Sequence, residues 1–142
     1  MSHDLYRELI LAHAQSPSNR GTLPNAACVS HQDNPTCGDE IDLYADVQNG
    51  RIVEIRFVSQ GCAISTASDS MMTEAVKGCT LDEAARRLAN FRAFITAGDL
   101  LDPTLQELES LEGVRRLPAR VKCAMLAWRA LEEIIACGRA AR

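Results

Sequence analysis

Cysteine and aspartate side chains occur in this sequence at positions where they could bind a metal or react as thiols. Cys37 and Asp39 flank Gly38 in the segment NPTCGDEI. A glycine lets the chain turn tightly enough for both side chains to point the same way. Cys62 lies at a predicted strand-to-helix turn, where the positive end of the helix favours thiolate over thiol. Thiolates and carboxylates are also ligands that zinc accepts.

Cys123 is the third candidate thiol, in the predicted helix PARVKCAMLAWRALEEI. It lies off the narrow charged stripe of that helix, which is formed by Lys122, Arg129 and Glu133. Arg120 precedes it by three residues, so the guanidinium can neighbour the thiol on the helix surface. A neighbouring cation lowers the pKa of a thiol and compensates an anionic metal site.

Each of these residues also has a structural interpretation. A single cysteine is most often a small buried hydrophobic residue, and Asp39 alone is typical of a turn that satisfies its own backbone. The three other cysteines have no evident partner, and we expect them to be structural. We expect the histidines to be solvated rather than metal ligands. The three cysteines are Cys28, Cys79 and Cys137, and the histidines are His3, His13 and His31.

Composition indicates one domain over residues 1–142, since 46% of the residues are hydrophobic and the length suits a single core. The net charge of -4 argues against nucleic-acid binding, which depends on Lys and Arg. We see neither a signal peptide nor an apolar run near the roughly 18 residues of a membrane span. We therefore expect a cytoplasmic protein that does not bind membranes, in which six cysteines indicate metal or thiol chemistry rather than bridges.

Period-two alternation predicts a β-hairpin over residues 41–59, after a short strand near 26–31. Asn49 and Gly50 predict a type I′ turn at its tip. Hydrophobic side chains on one face are expected to point inward: Ile41, Leu43, Ala45 and Val47, then Val53, Ile55 and Phe57. The open end of this hairpin brings residues near 40 and 60 together, which would place Cys37 beside Cys62.

Helical periodicity predicts five helices around this sheet. The first covers residues 3–15, and the second ends at Gly78. The third begins with the capping box of Thr80 and Glu83, the fourth covers residues 103–111, and the fifth runs from 118 to about 136. Met71, Met72, Met125 and Trp128 are expected to fill the core. The predicted fold is α+β, with a small three-stranded antiparallel sheet and helices packed on one face.

Three motifs in this order resemble the IscU/SufU family of iron–sulfur cluster assembly proteins, and the resemblance covers nearly the whole chain. They are NPTCGD at 34–39, GCAISTASDSMM at 61–72 and GVRRLPARVKCAMLAW at 113–128. IscU proteins typically carry a histidine where this chain has Lys122. The stretch that includes 103–111 looks like the insertion typical of the SufU branch. The resemblance therefore implies a SufE/NifU-like fold and favours the SufU branch.

The resemblance also implies a site and a function. Zinc would be bound by Cys37, Asp39, Cys62 and Cys123, and Cys37 would accept persulfide sulfur from a pyridoxal-phosphate cysteine desulfurase of the SufS type. Arg120 is a candidate for stabilising the released thiolate or the displaced carboxylate of Asp39, or else a surface arginine paired with Glu or Asp. The expected activity is that of a zinc-dependent sulfurtransferase that supplies downstream iron–sulfur assembly proteins. The alternatives are a scaffold for a transient [2Fe–2S] cluster, and a domain whose zinc is structural.

Overall fold

The fold of residues 3–141, the part of the chain that the computed structural model describes, is an antiparallel sheet with helices on one face. The predicted α+β class and the three-stranded sheet are therefore confirmed. No helix in this range is long and apolar enough to cross a bilayer. The elements are α1 His3–Gln15, β1 Cys28–Asn34, β2 Asp39–Gln48, β3 Arg51–Gln60, α2 Ala63–Val76, α3 Leu81–Ala97, a 3-10 segment Pro103–Arg116, and α4 Pro118–Ala140.

The three strands lie in chain order, and both neighbouring pairs are antiparallel. Asn49 and Gly50 form the turn between β2 and β3, with φ of 53° and 73°. Positive φ at both positions is what a type I′ turn requires, so this prediction is confirmed. At the other end of the hairpin Glu40 pairs with Gln60. The segments that follow Asn34 and Gln60 therefore meet at the open end, as predicted.

One strand prediction is wrong, because β3 contains a bulge. Asp46 pairs with Glu54 and Val47 with Ile52, so Val53 has no partner across the ladder. Ile52 is completely buried, whereas Val53 is 37% exposed. An extra residue in one strand reverses the alternation of its side chains from that point. Val53 therefore faces outward, although Ile55 and Phe57 are buried as predicted.

Most helix boundaries match the predictions, because caps are local signals. Thr80 and Glu83 form the expected capping box, and Gly78 and Gly98 follow α2 and α3 with positive φ. The 3-10 segment and α4 extend further than predicted, to Arg116 and Ala140. Within α4, a Cβ on Gly138 would lie 3.0 Å from the Leu81 side chain. This glycine therefore permits close packing of α4 instead of ending it.

Trp128 of α4 is the centre of the helical layer and is fully buried. Its ring stacks on Phe91 of α3 with centroids 4.6 Å apart. Its indole Nε1–H donates to Ser68 Oγ of α2 at 3.2 Å, and that hydroxyl donates to the Ala124 carbonyl at 2.6 Å. The methionines predicted for the core are buried too. These contacts fix α4, and with it Cys123, against α2 and α3.

Cys28 and Cys137 form a disulfide, which corrects the prediction that neither has a partner. Their Cα atoms are 5.9 Å apart although 109 residues separate them. Since α4 runs back across the sheet, its last turns meet the start of β1. The expectation that a cytoplasmic chain uses no cysteine in a bridge is therefore wrong for this pair. Cys79 is a buried free thiol.

His13 is also a correction, because it is buried rather than solvated. Its ring lies between α2 and the 3-10 segment, where Nδ1 contacts Ser70 Oγ at 2.7 Å and Nε2 contacts Glu107 Oε2 at 2.8 Å. Its partners lie 57 and 94 residues away in sequence. His31 is solvent-exposed as predicted, and its Nδ1 lies 2.7 Å from Asp42 Oδ1.

Candidate metal centre

Cys37 is held on a short turn that connects β1 to β2. The backbone N–H groups of Cys37 and Gly38 both donate to the Asn34 carbonyl, at 3.1 and 2.8 Å. Gly38 has a φ of +74°, in the left-handed region that favours glycine, and a Cβ added there would meet nothing within 4 Å. The turn therefore exposes Cys37 to solvent.

Asp39 follows directly at the start of β2, and only 2% of it is exposed. Its Oδ1 accepts the backbone N–H of Cys62 at 3.1 Å, which joins the two turns at the open end of the sheet. Its Oδ2 is buried and has no hydrogen-bond partner. A buried carboxylate oxygen left unpaired is costly, and a bound cation would satisfy it.

Gly61 makes room for this carboxylate. A Cβ on Gly61 would lie 2.6 Å from Asp39 Oδ1 and 3.2 Å from Ser65 Oγ. Any larger residue would therefore push Asp39 out of its position.

Cys62 is the N-cap residue of α2, the strand-to-helix position that the sequence predicts. Its Sγ accepts the backbone N–H of Ser65 at 3.4 Å, and the side chain is partly buried. This contact places the sulfur at the positive end of α2, where negative charge is stabilised.

Cys123 lies in the second turn of α4 and is fully buried. Its Sγ, the Cys37 Sγ and an Asp39 oxygen all lie within 4.8 Å of one another, whereas Cys62 Sγ lies outside this group. Burial raises the pKa of the Cys123 thiol most, and interactions with Asp39, Cys62 and Cys37 raise it further. The structure thus brings three of the four predicted ligands together and holds the fourth beside them.

Arg120 lies next to these sulfurs, one turn before Cys123. The negative charge of the Cys62 thiolate, followed by a hydrogen bond to Cys123 and the charge on that sulfur, raises the pKa of the Arg120 guanidinium. Lys122 is exposed on the same helix. Arg120 can therefore compensate negative charge that develops on either sulfur.

Asp69 is a residue near the site that sequence reasoning missed. It lies in α2 and is completely buried. Burial raises its pKa well above the usual range, Ser59 opposes that rise, and the charge of Asp39 adds to it. The only signal in the sequence is an acidic residue in the middle of ISTASDSMM, a helix segment rich in small residues.

Known sequences are similar to this chain over nearly its whole length. The family model for the NifU-like N terminal domain matches residues 5–138. The zinc-dependent sulfurtransferase SufU of Bacillus subtilis is 40% identical over 133 residues, which are 93% of this chain and 90% of that protein. The iron–sulfur cluster assembly scaffold protein IscU of Streptococcus pyogenes is 40% identical over 134 residues, which are 92% of this chain and 82% of that protein.

Solved structures share the fold. The crystal structure of FiSufU from Fervidobacterium islandicum AW-1 has a TM-score of 0.85 at 34% identity, covering 95% of this chain and 99% of that one. An N-terminal NifU-like structure from Brucella abortus has a TM-score of 0.90 at 22% identity and supports the fold alone. With the family model matching nearly the whole length, the chain belongs to the IscU/SufU family of NifU-like N-terminal domains.

Proposed function

We propose that this chain is a zinc-dependent sulfurtransferase that accepts persulfide sulfur from a cysteine desulfurase for iron–sulfur cluster assembly. The observation that carries the proposal is the convergence of Cys37, Cys123 and the buried, unpaired Oδ2 of Asp39. The Bacillus subtilis relative is named a zinc-dependent sulfurtransferase, which supports the same conclusion.

Zinc fits the chemistry of these donors. It prefers four ligands and binds thiolates strongly, so Cys37, Asp39, Cys62 and Cys123 would make up the set. The Cys62 sulfur accepts the backbone N–H of Ser65, and because a thiol sulfur is a weak acceptor, little is lost when it turns toward the other three. When bound, zinc would keep the thiols deprotonated and shielded until the sulfur donor arrives. A carboxylate among thiolates is the harder ligand, which favours exchange over a sealed structural site.

Cys37 is the sulfur acceptor in this proposal, because it is the exposed sulfur of the group. Its thiolate attacks the outer sulfur of the donor's persulfide. A new sulfur–sulfur bond forms on Cys37, the donor's sulfur–sulfur bond breaks, and the donor cysteine leaves as a thiolate. The rate of such an exchange depends on thiolate fraction and access, and the Gly38 turn provides access.

Arg120 would stabilise the negative charge on the sulfurs while Cys37 is engaged. The charges that raise its pKa come from Cys62 and Cys123, so its guanidinium lies close enough to act on both. This contact supports a functional interpretation of Arg120 over that of an ordinary surface arginine.

The test uses reduced, zinc-loaded protein with its cognate cysteine desulfurase and cysteine. We expect alanine release to rise and mass spectrometry to find one added sulfur on the Cys37 peptide. Cys37→Ser should abolish both effects, whereas Cys79→Ser, which removes a free thiol at the opposite end of the sheet, should preserve them. Unchanged alanine release, or sulfur added equally to the Cys37→Ser variant, would overturn the proposal.

A scaffold for cluster assembly is the second candidate, supported by the Streptococcus pyogenes relative, which is named a scaffold and is also 40% identical. Anaerobic addition of ferric iron and sulfide to the reduced protein tests it, because an oxidised [2Fe–2S] cluster holds ferric iron and then forms without a further oxidant. A cluster absorbance that forms rapidly, and that Cys123→Ser removes, would favour the scaffold. Iron that stays unbound would favour sulfur transfer alone.

A further inference from the structure

We propose a second metal site, formed by His13, Glu74 and Glu107, that binds a divalent first-row transition metal through nitrogen and oxygen ligands. One ligand atom from each residue lies within 4.8 Å of the other two. The residues come from α1, α2 and the 3-10 segment. Glu74 lies 12 residues after Cys62, about 18 Å along α2 at the helical rise. This site is therefore separate from the cysteine cluster and does not depend on the function proposed for it.

A buried contact on Nδ1 fixes the orientation of the His13 ring. Its Nδ1 lies 2.7 Å from the Oγ of Ser70, which is completely buried and also accepts the backbone N–H of Ser18 at 2.8 Å. Nε2 lies on the side of the two carboxylates, within hydrogen-bond distance of Glu107, so a bound metal would replace the proton between that nitrogen and the carboxylate. A hydrogen bond on the ring nitrogen that does not bind the metal is how proteins orient a metal-binding histidine, and the Ser70 contact gives Nδ1 that role.

The two carboxylates face this nitrogen. Glu107 Oε2 lies 2.8 Å from Nε2 and Glu74 Oε1 lies 3.9 Å from it. With a neutral imidazole the group carries a charge of about -2, which a divalent cation would neutralise. Glu74 is held in turn by the hydroxyl of Ser18, which donates to its Oε2.

An ion can reach this group from solvent. The side chains of Glu74 and Glu107 are 40% and 52% exposed, whereas that of His13 is 10% exposed. Both glutamates line a cleft of about 320 Å³ whose other walls include Met71, Pro103 and Leu105. A metal bound there would keep water ligands on the cleft side. It would also tie the 3-10 segment to α1 and α2.

The donor set predicts which metals bind. Imidazole nitrogen with carboxylate oxygen suits Mn²⁺, Fe²⁺, Co²⁺ and Zn²⁺, whereas thiolates select softer ions. Mn²⁺ is therefore the discriminating probe, because it should bind here and leave zinc on the cysteines. The competing interpretation is a protonated His13 that forms ion pairs with the two glutamates and binds no metal.

The experiment titrates Mn²⁺ into zinc-loaded protein and follows the free ion by electron paramagnetic resonance. We expect one Mn²⁺ bound per chain, with a nitrogen coupling from imidazole in pulsed spectra. Glu74→Gln and Glu107→Gln should each weaken binding at least about tenfold, by analogy with the losses caused by perturbing metal-site partners. The matched control is Glu109→Gln, which removes the same charge from the exposed face of the same segment and should leave binding unchanged.

Three results would overturn the proposal: no stoichiometric Mn²⁺, no nitrogen coupling, or equal binding by both glutamine variants and the wild-type chain. Circular dichroism and urea unfolding show whether the variants are folded. Because both glutamates are partly exposed, we expect native folds. Sulfur transfer by Cys37 is measured separately, so either proposal can fail without the other.

Discussion

The two ends of α4 carry cysteines in opposite situations. Near its start, Cys123 is a free thiol that lies with Cys37 and Asp39 at the open end of the β2–β3 hairpin. Fourteen residues later, about 21 Å along the helix, Cys137 is bonded to Cys28 beside the hairpin turn. The same residue type thus forms a crosslink at one end of the sheet and a group of free thiols at the other.

The difference lies in how completely the polar groups are paired. At the turn end, backbone bonds join Ile52 to Cys79 and to Gly78, and Leu81 to Gly50, at 2.7 to 2.9 Å. At the open end, buried atoms are left without partners: Asn34 Nδ2, Asp39 Oδ2 and Ser65 Oγ. Unpaired buried polar groups are rare in folded proteins and often belong to sites that bind something. The incomplete end is therefore where we expect metal and sulfur chemistry.

The largest effect should come from removing a sulfur at the open end. Cys123→Ser should weaken zinc binding by more than about 100-fold, because a hydroxyl is a poor replacement for a buried thiolate. This loss exceeds the one usually caused by changing residues that contact only the metal ligands. Zinc content after dialysis, measured by atomic emission, is the readout. Cys79→Ser should keep its zinc. Equal zinc in both variants would contradict a metal site at the open end.

Removing the disulfide should lower the free energy of unfolding and leave the zinc content unchanged. The double variant Cys28→Ser with Cys137→Ser should lose about 2–4 kcal/mol of unfolding free energy, because the unfolded chain is no longer crosslinked. Urea unfolding measures the loss, and zinc content serves as the control. A variant as stable as the wild-type chain would show that the bridge does not form in solution. A variant that loses zinc would show that the two ends are coupled.

Gly61→Ala tests the packing beside the metal ligands. The new Cβ would lie 2.6 Å from Asp39 Oδ1, so Asp39 must move. We expect a loss of about 1–3 kcal/mol, typical of overpacking, together with weaker zinc binding. Gly113→Ala is the control, since a Cβ there meets nothing within 4 Å. If both variants kept zinc equally, the position of Asp39 would not matter for binding.

The smallest effect concerns the pH dependence of stability near the open end. Burial raises the pKa of Asp69 in the folded state, so the folded chain keeps a proton that the unfolded chain releases above about pH 4. Stability is therefore lost as pH rises from that point toward the folded-state pKa. Asp69→Asn cannot titrate, so its stability relative to the wild-type chain should increase with pH. Urea unfolding of metal-free protein at several pH values measures this, and parallel curves would contradict it.

The parts of the fold that local chemistry determines are the parts that sequence patterns predict. The Asn49–Gly50 turn requires positive φ, and the Thr80–Glu83 box and the terminal glycines mark helix ends within a few residues. Val53 was mispredicted because strict alternation carries no sign of a bulge, which depends on how β2 and β3 pair. The end of α4, predicted near residue 136, also lies further along the chain, because Gly138 packs inside the helix against Leu81.

For the site, the sequence by itself determined which residues have the right chemistry: the Cys37 turn, Asp39, the Cys62 helix start and Cys123 beside Arg120. Only the tertiary structure decided that Cys123 joins Cys37 and Asp39 while Cys62 lies outside the group, that Cys28 and Cys137 are bonded, and that His13 is buried against Ser70 and Glu107. These contacts join residues 57 to 109 positions apart. Spacing along the chain holds no information about distances of that kind, because they follow from how α1, α2 and α4 pack on the sheet.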